Sequence, residues 1–260
     1  MPQSMSTAPN AAKNLTTLSK KFFGTTTSWT TFEKAWLAIF GLINVAVFFM
    51  SDDTPLGLIA SLTGMLSVVM TAKGLLGSYP FGAIQVVIYG WVAYTYGLYG
   101  ETMLNWLYYL PLQFVGLWLW ARKSRNDESD DITKVVIAKK LTIPQFLGVL
   151  VAAGIAVVAY ASLLSSIGGK EPGLDSVTTV LSVVAMILML ARYREQWGLW
   201  IIIDILSVAM WVIVLIKQDG SAWPMVVMWT AFLVNAVYGY WNWNKMVREQ
   251  EALDKQKAGA

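Results

Sequence analysis

Long stretches of this chain carry almost no charge. Charged residues collect mainly in the first 34 positions, in 122–140 and after 244, and apolar runs of helix length fill the space between. Only 13% of residues are charged and 56% are apolar, against roughly 25% charged in a soluble domain. A hydrocarbon core of ~30 Å takes about 20 mainly apolar residues per crossing helix. Eight segments answer that description, at about 33–50, 55–77, 79–98, 101–121, 144–165, 174–191, 197–216 and 222–242. The expected fold is all-α and integral to a membrane, with eight transmembrane helices.

Local punctuation agrees with these spans. Pro55, Pro80, Pro144 and Pro224 stand near span starts, where the missing N–H leaves no helix bond unmade. Some connections are tight, as in Ser51-Asp52-Asp53-Thr54, Gly77-Ser78 and Gly97-Leu98-Tyr99-Gly100. Positive charge then sets the orientation, because Lys and Arg gather on the cytoplasmic side. With the N-terminus inside, that side receives Lys13, Lys20, Lys21, Lys34, Lys73, Arg122, Lys123, Arg125, Lys134, Lys139, Lys140, Arg192, Arg194, Lys245, Arg248, Lys255 and Lys257. The other side holds Lys170 and Lys217, a division of 17 against 2. Both termini are expected in the cytoplasm.

Residues 1–32 are polar and Ser/Thr-rich and read as a cytoplasmic tail ending in an interfacial anchor at Lys20-Lys21-Phe22-Phe23 and Trp29. No small-x-small cleavage site follows the first apolar run, so that run is expected to stay in the chain as a helix. Segment 122–143 reads as a charged linker with a short amphipathic turn at Val135–Lys140, and 244–260 as a cytoplasmic tail.

Two motifs recur in the same order. Leu66-Ser67-Val68-Val69 returns as Leu181-Ser182-Val183-Val184, and Gly116-Leu117-Trp118-Leu119-Trp120 as Gly239-Tyr240-Trp241-Asn242-Trp243. Both copies of the second motif close the third helix of a triple. The expected units are 55–121 and 174–243, joined by the linker helix 144–165. Four crossings, an even number, separate their starts, so the two units are parallel, and the helix at 33–50 stands outside them. Three helices, a linker and three helices is the layout of SWEET-type carriers, which bind substrate at the midplane between repeats. The spare first helix makes a homo-oligomer, a trimer by preference, the expected assembly.

The chain contains no Cys and no His. Thiol nucleophiles, disulfides, most zinc and copper sites and the usual neutral-pH base are thereby removed. No basic face interleaved with aromatics suggests a nucleic-acid partner, and no cofactor is expected. Polar residues at bilayer depth are costly and functional by default. Asp204 stands seven residues into its span, and it is the only acid read as deep in the membrane. Trp197, Trp200, Asp204, Ser207 and Trp211 share a helix stripe of roughly 80° at ~100° per residue, with both indoles stacked a turn apart above the acid. Indole faces beside a carboxylate suit a flat organic cation, through cation–π contact and charge pairing. Trp197 fits an interfacial aromatic belt equally well. Gln85, Gln113 and Asn235 serve as readily for interhelical hydrogen bonding as for ligand contact, with Tyr109 one turn before Gln113 on the same face. Asn44 reads as packing.

The stretch Trp197-Gly198-Leu199-Trp200-Ile201-Ile202-Ile203-Asp204 resembles the Trp-x-x-Trp-x-x-x-Asn/Asp motif of the PnuC nicotinamide riboside transporters. Tyr108-Tyr109 with Gln113 and Gly116 is similar to that family's pattern in the third core helix, which often has Asn where this chain has Gln113. The resemblance covers about 55–245. It implies a multi-pass protein of the bacterial inner membrane that carries nicotinamide riboside by facilitated diffusion, without ATP, and with uptake trapped by cytoplasmic phosphorylation. Trp197, Trp200 and Asp204 would line the substrate site, with Gln85, Tyr109, Gln113 and Asn235 around it. Related branches carry thiamine or riboflavin. A neutral sugar would leave the Asp204 charge unanswered. A membrane enzyme lacks a base or nucleophile set, and a retinal protein lacks a mid-span Lys.

Overall fold

The computed structural model describes residues 16–25, 28–50, 55–96, 99–126, 138–166, 172–217 and 223–258, and these are almost wholly helical. A short helix, α1, covers 16–23. It is followed by α2 (Thr31–Met50), α3 (Pro55–Lys73), α4 (Ser78–Thr95), α5 (Tyr99–Met103), a π-helical turn (Leu104–Tyr109) and α6 (Leu110–Asn126). Then come α7 (Ile143–Ser166), α8 (Pro172–Leu190), α9 (Gln196–Lys217) and α10 (Trp223–Ala258). The segment from α5 through α6 is one unbroken rod. Among the described residues, α2, α3, α7 (over Ile143–Leu163) and α9 are long and apolar enough to cross a membrane by length and composition alone, and Ser176–Leu190 is a shorter apolar helix. α4 and α10 are diluted by Gly, Tyr and Trp.

Six helices pack in cyclic order, α3 against α4, then α6, α8, α9 and α10, which returns to α3. α2 lies outside this ring against α3 and α10, and α7 lies outside it against α8. The outer surface is apolar, with Leu42, Phe49, Leu107 and Trp118 among the exposed side chains. Such a surface suits hydrocarbon and would be a poor one for water. Lys73, Arg122, Arg192, Arg194 and Lys245 gather at one end of the ring, called here the basic end.

The helix starts follow sequence chemistry. Thr30 and Glu33 form a reciprocal capping box at α2: the Thr30 N–H donates to Glu33 Oε2 at 2.7 Å and the Glu33 N–H to Thr30 Oγ1 at 3.2 Å. Thr142 and Gln145 do the same at α7, at 2.9 and 3.5 Å. Each pair satisfies donors that a helix start leaves open.

The helix stops correct one sequence expectation. The second span does not run to Gly77; its helix ends at Lys73. Gly74 takes φ +72°, its N–H donates to Thr71 O, and the Leu75 N–H donates to Met70 O. Those bonds make a Schellman stop. α8 ends the same way at Arg192, with φ +67° and matching bonds from Arg192 to Met189 O and Tyr193 to Leu188 O. A side chain in that conformation costs roughly 1–2 kcal/mol, which glycine avoids.

The segment expected as a tail is partly built into the fold. The carbonyls of Lys21 and Phe22 accept from the Leu76 and Gly77 N–H groups at 3.1 Å each, so α1 lies under the α3–α4 turn. Glu33, in the first turn of α2, is 1% exposed and pairs with Lys73 at 2.8 Å. Lys73 also donates to Ser28 O, and Tyr238 of α10 donates to Glu33 Oε1 at 2.7 Å. Asp204 is therefore not the sole buried acid. Of the expected turn at 135–140, residues 135–137 lie outside the described residues. Lys139 is extended and bridges Tyr193. Asn44 packs α2 on α3, donating to Phe40 O and accepting from Ser61 Oγ.

Candidate functional site

The repeated motifs meet at the centre of the ring. Trp120 and Trp243, the last residues of the two Gly-x-Trp-x-Trp copies, are both buried with ring centroids 6.3 Å apart. Each also meets the aromatic at the second position of a neighbouring helix. Tyr79 of α4 stands edge-on to Trp120 at 5.1 Å, and Trp197 of α9 edge-on to Trp243 at 6.0 Å. The glycine of each motif makes room: a Cβ on Gly116 would stand 2.2 Å from the Tyr79 ring, and one on Gly239 2.5 Å from the Trp197 ring. Trp118 and Trp241, between them, face outward. The four inner rings close the ring of helices at the basic end.

A second aromatic cluster closes the other end. Trp211 of α9 donates to the Tyr89 hydroxyl at 3.0 Å, and its ring also meets Tyr96 at 5.4 Å. Tyr89 meets Trp229 of α10 at 5.8 Å. Along α4, Tyr79 and Tyr89 are ten residues apart, a rise of about 15 Å. The space between the clusters is a cavity of about 140 Å³, and all six ring helices line it.

All seven residues singled out from the sequence line this cavity: Gln85, Tyr109, Gln113, Trp197, Trp200, Asp204 and Asn235. Asp204 is 3% exposed, and no salt bridge to it forms among the described residues. Trp200 lies a turn away from it on α9 and meets the Tyr109 ring at 6.3 Å. Trp197 belongs at once to the cavity wall and to the basic-end cluster. Its Nε1 is buried and makes no hydrogen bond. Asn235 donates to Val68 O at 3.0 Å, while its Oδ1 is left buried without a donor. Gly64 and Gly82 let side chains approach closely, since a Cβ would fall 2.9 Å from Gln85 Cγ and 2.7 Å from Gln113 Oε1.

The Leu-Ser-Val-Val copies also gain a structural meaning. Ser67 and Ser182 both line the cavity. The carbonyl of the following valine accepts a bond from another helix in each case, Val68 of α3 from Asn235 of α10 and Val183 of α8 from Tyr108 of the π-helical turn, at 3.0 Å each. Sequence reasoning missed Glu101 and Asn105, which line the cavity from α5 and the π-helical turn. Asn105 donates to Glu101 O at 2.8 Å. A π-helical turn inside a helix frequently marks a functional site, and nothing in the local sequence signals it.

The chemistry available is that of a recognition site. Trp and Tyr faces, amides and hydroxyls surround two carboxylates, Asp204 and Glu101, and no described residue lining the cavity is basic. Among the described residues, no group of three or more His, Cys, Asp or Glu is placed to hold a metal.

Comparison with known proteins agrees with a carrier. The sequence profile of the family described as nicotinamide mononucleotide transporter matches residues 54–245. The nicotinamide riboside transporter PnuC of Neisseria mucosa is 42% identical over 229 residues, covering 88% of this chain and 86% of that protein. The protein of the same name from Haemophilus influenzae is 35% identical over 220 residues, covering 85% and 92%. A crystal structure of the vitamin B3 transporter PnuC superposes with a TM-score of 0.80 at 40% identity, covering 90% of this chain and 98% of that one. With a multi-pass helical fold, a central aromatic cavity and this likeness over most of its length, the chain belongs to the PnuC family of membrane transporters.

Proposed function

We propose that the protein carries nicotinamide riboside across a bacterial inner membrane by facilitated diffusion. The observation that carries this reading is the charge of the cavity. Two carboxylates and no basic residue line it among the described positions, and its walls present Trp197, Trp200 and Tyr109. Nicotinamide riboside has a flat cationic ring and a hydroxylated sugar, so the indoles answer the ring and Asp204 the charge. Gln85, Gln113 and Asn235 would take the sugar hydroxyls. The mononucleotide carries a phosphate that this cavity would repel. The named relatives support the riboside as well. Riboside that reaches the cytoplasm is trapped there by phosphorylation, and no chemical step by the protein is required.

Alternating access fits the two aromatic clusters, which bracket the cavity along its axis. In this reading all eight long helices cross the bilayer, the basic end is cytoplasmic, and both termini lie on that side. The cyclic packing order supports two parallel units, α3–α4–α6 and α8–α9–α10, rocking against each other as in SWEET-like carriers. α2 and α7 look like counterparts: each follows a capping box, and each lies against the first helix of a unit. That extends the duplication to four helices per unit, where the sequence alone suggested a spare first helix. The exposed apolar faces of α2 and α7 are the surfaces on which a homotrimer would form.

Calorimetry on purified protein tests the reading. Nicotinamide riboside should bind, the mononucleotide and glucose should not, and Trp200→Ala or Asp204→Ala should abolish binding. Unchanged affinity in both variants would refute the assignment. Thiamine and riboflavin belong in the same panel, since a second flat vitamin that bound more tightly would redirect it. Counterflow in proteoliposomes then separates a carrier from a receptor.

A further inference from the structure

The seam between α6 and α8 opens at the basic end into a groove that the transport cavity does not include. Its walls are apolar, with Leu119 from α6 and Ile187 and Leu190 from α8, and Arg122, Lys139 and Arg192 stand around it. The groove has a volume of about 480 Å³. Leu119 and Ile187 are exposed on the outer surface, so the walls face hydrocarbon while the cations stand at headgroup level.

Two features assemble the basic rim. The Lys139 N–H donates to Arg192 O at 2.8 Å, and the Arg194 N–H donates to Lys139 O at 2.9 Å. This backbone clamp fastens the end of the linker to the α8–α9 turn and sets Lys139 beside Arg192. The second feature is the turn itself. Arg192 holds φ +67° where the corresponding stop after α3 has Gly74 at +72°. Glycine is the ordinary occupant of that position. A long cation there gains a place at the mouth of the groove. Arg122 and Lys139 lie over the rings of Trp118 and Tyr193, at 5.4 and 5.6 Å.

We propose that this groove binds an anionic phospholipid of the cytoplasmic leaflet. The phosphate sits among Arg122, Lys139 and Arg192, and one acyl chain lies along Leu119, Ile187 and Leu190. Basic pockets between helices on the cytoplasmic side suit lipid headgroups, and a guanidinium meets phosphate oxygens with paired donors. The site straddles the meeting of the two units, so a lipid there ties α6 to α8 from outside. The linker's own Asp127-Glu128-Ser129-Asp130-Asp131 offers similar charge but nothing for the apolar walls, which favours the lipid.

Native mass spectrometry of the full chain in neutral detergent tests this, with added phosphatidylglycerol or phosphatidylcholine. The wild type is expected to keep one phosphatidylglycerol in preference to phosphatidylcholine, and excess inorganic phosphate is expected not to displace it. Arg192→Gly with Lys139→Gln is expected to lose that preference while melting within a few degrees of the wild type, since glycine suits the turn. A linker carrying Asp127→Asn, Glu128→Gln, Asp130→Asn and Asp131→Asn is expected to keep the preference. The proposal is overturned if the double variant still selects phosphatidylglycerol, if phosphatidylcholine binds as well, if phosphate alone displaces the lipid, or if neutralising the linker raises lipid binding severalfold.

Discussion

Replacing Gly239 by alanine forces a methyl group against Trp197. Three atoms of that ring lie 2.5 to 2.6 Å from where the new carbon would stand, well inside van der Waals contact, so something must shift. Trp197 has little room to do so, being 3% exposed with Trp243 packed edge-on against it. Overpacking of this kind costs about 1–3 kcal/mol. Gly198 supplies the control, because it neighbours Trp197 in sequence yet has nothing within 4 Å of a Cβ. Alanine at 198 should instead stabilise the helix by about 0.5–1 kcal/mol. The two single-methyl variants should therefore differ by about 1.5–4 kcal/mol in thermal unfolding in one detergent, the 239 variant lower. If the shifted ring loses about 1.4 kcal/mol of contact with the bound vitamin, affinity falls about tenfold. Equal melting and equal binding by the two variants would refute the ring's role as a fixed wall shared by the cavity and the basic-end cluster.

Other expectations can be checked alongside. Lys73→Met strands Glu33 as a buried charge and should cost about 3–5 kcal/mol, most of it recovered in the double variant with Glu33→Gln; a double-mutant cycle in thermal unfolding measures this. Tyr108→Phe and Asn235→Leu each remove a bond between helices and should each cost only about 0.6 kcal/mol, while shifting counterflow rates more than melting. Lys140 pairs with Glu251 at 2.6 Å and holds that exposed carboxyl below its usual range. The contact is present above the ordinary carboxylate range and is lost only as pH falls through the lowered value, so Lys140→Gln should move the Glu251 titration upward in carbon NMR without changing the melting temperature.

Most of the cavity was legible because its polar residues stand where hydrocarbon should not tolerate them. Asp204, Gln85, Gln113 and Asn235 are conspicuous against apolar neighbours, and the Trp197–Asp204 spacing puts indoles and acid on one helix face. The Gly-x-Trp-x-Trp repeat was legible for a similar reason, since two glycines and four tryptophans in one register are hard to produce by composition. Glu33 and Lys73 were not, because each sits near a span end where charge is ordinarily solvated, and only tertiary packing joins them. The Thr30-x-x-Glu33 capping box was a local signal that could have fixed the start of α2. The stop at Gly74 was masked by Leu75 and Leu76, which prolong the apolar run beyond the helix. The π-helical turn that sets Asn105 beside the cavity depends on the whole rod and leaves no mark in its six residues.

In the proposed function the carboxylate of Asp204 answers a positive ring. At an effective dielectric constant of about 20 and a separation of about 5–6 Å, that attraction is worth about 3 kcal/mol, or about 100-fold in affinity. Reduction turns the nicotinamide ring of the riboside into a neutral dihydro form of nearly the same size. Calorimetric titration of both forms into the wild type and into Asp204→Asn isolates the charge. The wild type should prefer the cationic riboside strongly, and the variant should bind the two forms alike. A wild type indifferent to the ring's charge, or a variant that keeps the full preference, would contradict the account.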